Sequence, residues 1–302
     1  MNKKIAYFLA LSTALVSGSA FAADLAATKK APAAPVVVSP WDFDIGAGLT
    51  SDYMFRGITQ SNHAPSVAAH GELRYNFSDM WQGYVGVSGE SIKLTPFDPS
   101  PSMELDTYGG VRGTFGQFTT DAGVWGYLYP GLSTPTPNAI YPTQINWVEG
   151  YFKAGYNITD AFNVGGNFFY TPSYIATGAD GEYLSATAKY TIGDWAISGE
   201  LGRQLLGTTD ATHTTFFPPG NGNYKLPSYT TWNVGASYTW KFVTLDLRYW
   251  GTSLSKSQAV LITGPTNYII AGGATSAGYR SNYADQRIVG TISFDLTSKD
   301  LK

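Results

Sequence analysis

The chain has no cysteine. No disulfide can brace it, so its stability has to come from strand pairing and burial. Charge is also scarce, at 14% of residues against roughly 25% in a typical soluble domain. Beyond the first 22 residues there is no apolar run near the ~20 residues that a spanning helix needs. If the mature chain crosses a bilayer, it therefore crosses as strands. Histidine occurs three times, as His63, His70 and His213, and no Gly-x-Ser-x-Gly element is present. A Ser-His hydrolase needs a serine and a base within hydrogen-bond reach. His63 and His213 fall in long loops as solvated side chains. His70 points inward beside Glu72 and Arg74, away from any lipid substrate, so the reading is of a protein that is not an enzyme. A net charge of −3 without a basic patch excludes a nucleic-acid partner. Metal binding finds no support either. Asp42-Phe43-Asp44 opens like a calcium loop, but neither the fifth nor the twelfth ligand follows, and no cofactor is implied.

Among 302 residues, glycine (34), tyrosine (21) and tryptophan (8) are plentiful, a mixture suited to strands that bend and to aromatics at a membrane interface. The N-terminus carries Asn2-Lys3-Lys4, an apolar stretch over 5–16, and Ser19-Ala20-Phe21-Ala22. This is a secretory signal over 1–22, cut after Ala22. Residues 23–40, rich in Ala, Pro, Val and Lys, read as a flexible spacer. The rest, 41–302, reads as one barrel.

The organising stretch runs from Trp41 to Phe77. Trp41, Phe43, Ile45, Ala47 and Leu49 alternate with Asp42, Asp44, Gly46, Gly48 and Thr50. After a loop over 57–65, Val67, Ala69, Leu73 and Tyr75 alternate with His70, Glu72, Arg74 and Asn76. A period of two is a strand with one apolar and one polar face. The same alternation returns over 81–91, 103–115, 118–129, 147–156, 162–170, 183–190, 195–201, 232–240, 243–249 and 287–296. The count is about twelve strands, and even, as in single-chain bacterial barrels.

Connection lengths alternate too. Short turns fall near 78–79, 116–117, 157–160, 192–194 and 241; long loops fall at 57–65, 93–102, 130–144, 171–181, 204–227 and 253–282. All the short turns then lie at one end of the strands. Aromatics of the apolar parity flank them, namely Phe77, Trp81, Phe115, Phe118, Tyr156, Phe162, Tyr190, Trp195 and Trp240, with Trp41 and Phe294 at the two ends of the chain. Such a ring suits the headgroup level of a bilayer. The fold class expected is all-β, a single transmembrane antiparallel up-and-down barrel of about twelve strands with outer-membrane lipids around it.

Two local sequences resemble the TorF family of porins. Ser51-Asp52-Tyr53-Met54-Phe55-Arg56-Gly57-Ile58-Thr59-Gln60 is similar to that family's S-D-Y-x-F-R-G-x-x-Q signature. Asp121-Ala122-Gly123-Val124, followed by Tyr127-Leu128-Tyr129-Pro130-Gly131, is similar to its D-x-G-V…Y-x-Y-P-G segment. The resemblance implies a proteobacterial outer-membrane barrel. One departure is that the chain runs past Phe294 to Leu301-Lys302 rather than ending on an aromatic residue.

Parity turns sixteen charges into the lumen: Asp42, Asp44, Glu72, Arg74, Glu90, Glu104, Asp106 and Arg112 from the first half, and Asp121, Glu149, Lys153, Lys189, Glu200, Asp246, Arg248 and Arg287 from the second. Acidic residues outnumber basic ones, so an open pore would prefer cations weakly; pairing across the lumen would instead close it. Twelve strands lie between the filled eight-stranded and the water-filled sixteen-stranded barrel. Asp52 and Arg56 are expected on one inward face, as a pair that shapes the pore mouth or one that fixes register and the first loop. The function expected is passive diffusion of small polar solutes or ions through a narrow, charge-lined lumen. The alternative is a non-conducting barrel whose long loops form a binding or adhesion surface. No sequence feature reports a homo-oligomer.

Overall fold

The computed structural model describes residues 39–94, 101–132, 145–212, 214–215, 220–264, 280–298 and 300. The signal over 1–22 and nearly all of the spacer lie outside them. Among the described residues no helix is long and apolar enough to cross a membrane. Twelve strands form one closed barrel. They are β1 (Trp41–Thr50), β2 (Ser66–Asn76), β3 (Trp81–Ser91), β4 (Met103–Phe115), β5 (Phe118–Leu128) and β6 (Trp147–Asn157). The second half supplies β7 (Phe162–Thr171), β8 (Gly181–Ile192), β9 (Trp195–Leu206), β10 (Tyr229–Trp240), β11 (Val243–Thr252) and β12 (Arg287–Thr297).

Each strand pairs antiparallel with its sequence neighbours, and β1 closes the ring against β12 through Asp44↔Thr297 to Thr50↔Thr291. Every strand has at least ten residues, the length that a tilted membrane strand requires. All twelve alternating segments of the sequence are strands here. Most extend beyond the alternation: β9 continues past Leu201 to Leu206, which brings Gln204 onto the wall.

Burial is inverted relative to a soluble sandwich. The exposed outer face carries Val85, Leu201, Leu247 and Ile288, the last two 62% and 67% exposed. An apolar surface running round the whole barrel is stable only against lipid. At the short-turn end the aromatic ring closes through edge contacts, Trp41 to Tyr75 at 4.8 Å, Trp81 to Phe115 at 5.2 Å and Phe242 to Phe294 at 5.3 Å. These turns occupy 77–80, 116–117, 158–161, 193–194 and 241–242.

The long-loop end is more built up than a run of loops. Ser255 caps a helix, α1 (Lys256–Thr263), by accepting from the Gln258 amide, while the Gln258 side chain accepts from the Ser255 backbone N–H at 3.0 Å. Ala259, Val260 and Ile262 are buried. Ser-x-x-Gln ahead of an apolar run is a capping box, so this helix, read above as loop, had a local signal.

Leu247, midway along β11 on the outer face, tests the lipid contact. Leu247→Arg is expected to cost about 2–4 kcal/mol of folding stability in vesicles, measured by urea titration. A loss below about 0.5 kcal/mol, ordinary for a water-facing site, would contradict this placement.

Candidate functional site

The interior is organised by the loop between β1 and β2, which turns inward. Ser51 starts the turn clamped to β12: its amide donates to the Gly290 carbonyl at 2.9 Å and its Oγ accepts from the Gly290 amide at 3.0 Å. Met54–Phe55 then pairs with Ile58–Thr59 as a small hairpin. Arg56 and Gly57 form its two-residue turn with φ of 47° and 79°, the pair of positive angles that such a tight turn demands. The tip abuts the wall so closely that a Cβ on Gly57 would stand 2.4 Å from Thr252 Cγ2 and 2.7 Å from Thr231 Oγ1. Glycine is required there on both grounds.

From this tip Arg56 reaches β6 and β9. Its Nη2 donates to Glu149 Oε2 at 2.6 Å, and its Nη1 donates to Glu149 Oε1 and to Gln204 Oε1, both at 2.9 Å. The Tyr127 hydroxyl donates to the same carboxylate at 2.9 Å. Aromatic rings surround the guanidinium, with Tyr183 at 4.3 Å, Phe55 at 4.7 Å and Phe169 at 5.0 Å from ring centre to Cζ. Both charged side chains are 1% exposed. A bidentate pair with further hydrogen bonds and stacked rings is the geometry in which buried charge is tolerated.

Asp52 holds the hairpin's base. It accepts from Thr59 Oγ1 at 2.5 Å and Ser61 Oγ at 3.0 Å, meets His63 Nδ1 at 2.9 Å and lies 3.5 Å from Arg287 Nε. The expected Asp52–Arg56 pair is therefore not formed. The reversal at Arg56-Gly57 sends the guanidinium across the lumen while Asp52 stays at the rim. His63, expected to be solvated, is instead held between Asp52 and the Asn282 carbonyl at 3.0 Å. Tyr53 donates to Glu104 at 2.6 Å, Gln60 donates from its backbone N–H to the Tyr53 carbonyl at 2.7 Å, and Phe55 packs edge-on to Tyr127 and Trp147. In the second segment the Tyr129 amide donates to Asn146 Oδ1 at 2.8 Å. Gly131, after Pro130, takes a φ of 83° at the mouth.

Below the hairpin, toward the short turns, the wall charges pair along the barrel. Arg74 bridges Asp44 and Glu72; Arg112 binds Glu72 through two nitrogens at 2.6 and 2.9 Å and approaches Asp121 at 3.4 Å. Tyr84 joins Asp121 at 2.6 Å under the Arg112 guanidinium and also bonds Tyr151. On the other side Arg248 pairs with Asp246 at 3.0 Å and reaches Asn233 and Ser198. Glu200 accepts from the Tyr183 hydroxyl at 2.9 Å. Lys153 lies 4.6 Å over the Tyr151 ring. The Arg112 side chain keeps 20% exposure, while the carboxylates it pairs with are buried. Lys189 is half-buried in this half, and Asp42 accepts from Ser298 Oγ at its lower rim.

The upper half has a different character. Glu90, Glu104 and Asp106 are all buried on β3 and β4, with carboxylate oxygens within 4.8 Å of one another. Above the hairpin a small cavity of about 60 Å³ opens at the mouth, lined among others by Phe55, Ile58, Glu104, Tyr127, Trp147 and Tyr283. All sixteen parity-derived charges thus belong to strands of the wall. Alternation could not say which of them meet, because that depends on register between strands and on the inward loop. Gln204 and Tyr127 were missed as partners of the site, although both share the inward parity of Glu200 and Asp121.

The profile of a bacterial family of unknown function, Gcw_chp, matches residues 34–271, and the chain belongs to that family. No curated protein matches the sequence. Among solved structures it is similar to the NanC porin, with 12% identity and a TM-score of 0.46 over 84% of this chain and 100% of that one. It is also similar to the KdgM porin, with 11% identity and a TM-score of 0.40 over 84% and 98%. A variant of the TodX monoaromatic hydrocarbon channel gives 9% identity and a TM-score of 0.43 over 86% and 90%.

Removing one member of the Arg56–Glu149 pair leaves a buried charge without its partner. Arg56→Ala and Glu149→Ala are each expected to destabilise by about 3–5 kcal/mol. In a double-mutant cycle followed by urea titration, the paired change should cost much less than the sum. Additive losses would contradict the direct pairing.

Proposed function

We propose that this protein is an outer-membrane channel, closed at its upper half by the inward hairpin and passing small polar solutes or ions when that hairpin yields. The observation that carries the reading is how the hairpin is held. It belongs to no wall strand: Ser51 and Asp52 anchor its base, and Arg56 on Glu149 and Gln204 latches its tip. A segment seated by side chains and a few backbone bonds to loops and to Gly290 can leave the lumen with the pairing of the twelve wall strands intact, whereas a filled core cannot. The partly exposed Arg74, Arg112 and Arg248 of the lower half, with the carboxylates they pair, supply the remainder of a polar conduit.

The motif from Ser51 to Gln60 supports placing the chain with the TorF porins, since its residues are those that shape and seat this hairpin. The apolar belt and the polarity of short turns and long loops support an outer-membrane location reached by a cleaved signal. The excess of carboxylates on the inner wall supports a weak preference for cations. Transport by this route needs no catalytic group and no cofactor.

Single-channel conductance of the refolded mature chain in a planar bilayer tests the reading. The unaltered protein is expected to give infrequent small steps. Arg56→Ala should open several-fold more often, and Asp246→Asn in that background should weaken the cation preference read from a salt gradient. A silent membrane for both the unaltered and the Arg56→Ala protein, with insertion verified, would remove the channel. The aromatic mouth cavity would then become the principal site of a non-conducting binding barrel.

A further inference from the structure

The residues around Glu90, Glu104 and Asp106 present an electrostatic problem that the described residues do not solve with an ion pair. Glu90 stands directly opposite Glu104 in the β3–β4 register, and Ser88 opposite Asp106. Like charges placed directly across a ladder repel. The three side chains are 1%, 2% and 0% exposed. Among the described residues no lysine, arginine or histidine forms an ion pair with any of them, although every other cluster of wall carboxylates has its guanidinium. Glu104 accepts from the Tyr53 hydroxyl at 2.6 Å. Among the described residues, both oxygens of Glu90, both oxygens of Asp106 and the buried Ser88 Oγ find no partner in good hydrogen-bond geometry, although Ser88 and the Trp125 indole lie close to them.

Burying several ionised carboxylates together without positive charge is strongly unfavourable. A cation from outside the chain would relieve that cost. The mouth cavity gives a route, because Glu104 lies in its lining.

We propose that Glu90, Glu104 and Asp106, with Ser88 beside them, form a calcium site within the upper wall of the barrel. The donors are all oxygens, as a hard cation prefers, and neither the imidazole nor the thiolate that a transition metal favours is among them. Three carboxylates at carboxylate-to-carboxylate distances below 4.8 Å suit the flexible coordination of calcium. Magnesium demands near-ideal octahedral geometry and keeps several of its waters. Bound there, the ion neutralises the repulsion between β3 and β4. It also fixes the carboxylate that receives Tyr53, and so steadies the hairpin's entry strand. This assignment rests on the carboxylates alone and stands whether or not the barrel conducts.

The test uses the refolded full-length mature barrel, stripped with a chelator, and two probes. Calcium added alone is expected to raise the thermal unfolding midpoint. Terbium is expected to show luminescence sensitised by Trp125, which lies beside Asp106, and calcium should displace it. Glu90→Gln and Asp106→Asn should each weaken calcium binding roughly ten-fold or more, since affinity follows the number of ligand charges. Asp295→Asn, which alters the separate group of Asp44, His70 and Asp295, should leave it unchanged. Absence of both the calcium-dependent midpoint shift and the terbium signal in the unaltered protein would overturn the site, whatever the variants do. So would binding that survives Glu90→Gln and Asp106→Asn, or that is lost in Asp295→Asn.

Discussion

The barrel depends on one constraint: in hydrocarbon, each backbone N–H and C=O has to find its partner within the protein. A sheet can meet that demand only by leaving no edge, so β1 must pair with β12 across almost the whole length of the chain. Once the ring is closed the side chains have no freedom of face. One parity meets lipid and has to be apolar; the other is turned into a space too wide to fill with aliphatic side chains alone. The interior is accordingly polar and aromatic, and outside the Glu90–Glu104–Asp106 group its charges are mostly paired, hydrogen-bonded or stacked on rings.

The hairpin after β1 is a consequence of that interior space. A twelve-stranded ring leaves room that side chains of the wall do not close at its upper level, and the chain fills it with a piece of its own backbone. The backbone groups of so small a hairpin are satisfied by its own turn, by Ser61 and by neighbouring loops, as in the Tyr53 amide on Ser61 Oγ and the Thr59 amide on the Tyr283 carbonyl. Polarity inside the lumen is thus a requirement of the plug as much as of any solute.

The sequence was most legible where physics acts on neighbouring residues. A period of two is imposed by the pleat, so Trp41 to Thr50 or Val243 to Tyr249 announce their two faces without any knowledge of partners. Turn length and the aromatic ring are local as well, and they fixed the direction of the strands. Legibility ended where an interaction joins distant segments. That Arg56 would leave Asp52 for Glu149 depends on two positive φ angles at the hairpin tip and on a wall many strands away. That Glu90 would stand opposite Glu104 depends on the register of a long connection. α1 was missed for a different reason: its capping box is local, but it lies within a stretch whose length alone marked it as loop.

Seating the hairpin makes extreme demands on the order of assembly. Ser51 meets Gly290 across 239 positions of the chain, and Arg56 meets Gln204 across 148. Contacts of such sequence separation form late, because the entropy of closing the intervening chain is lost before they contribute. The first long loop of the chain is therefore among the last parts to find its place. The arginine stays an unsatisfied cation until β6 and β9 have brought Glu149 and Gln204 into place.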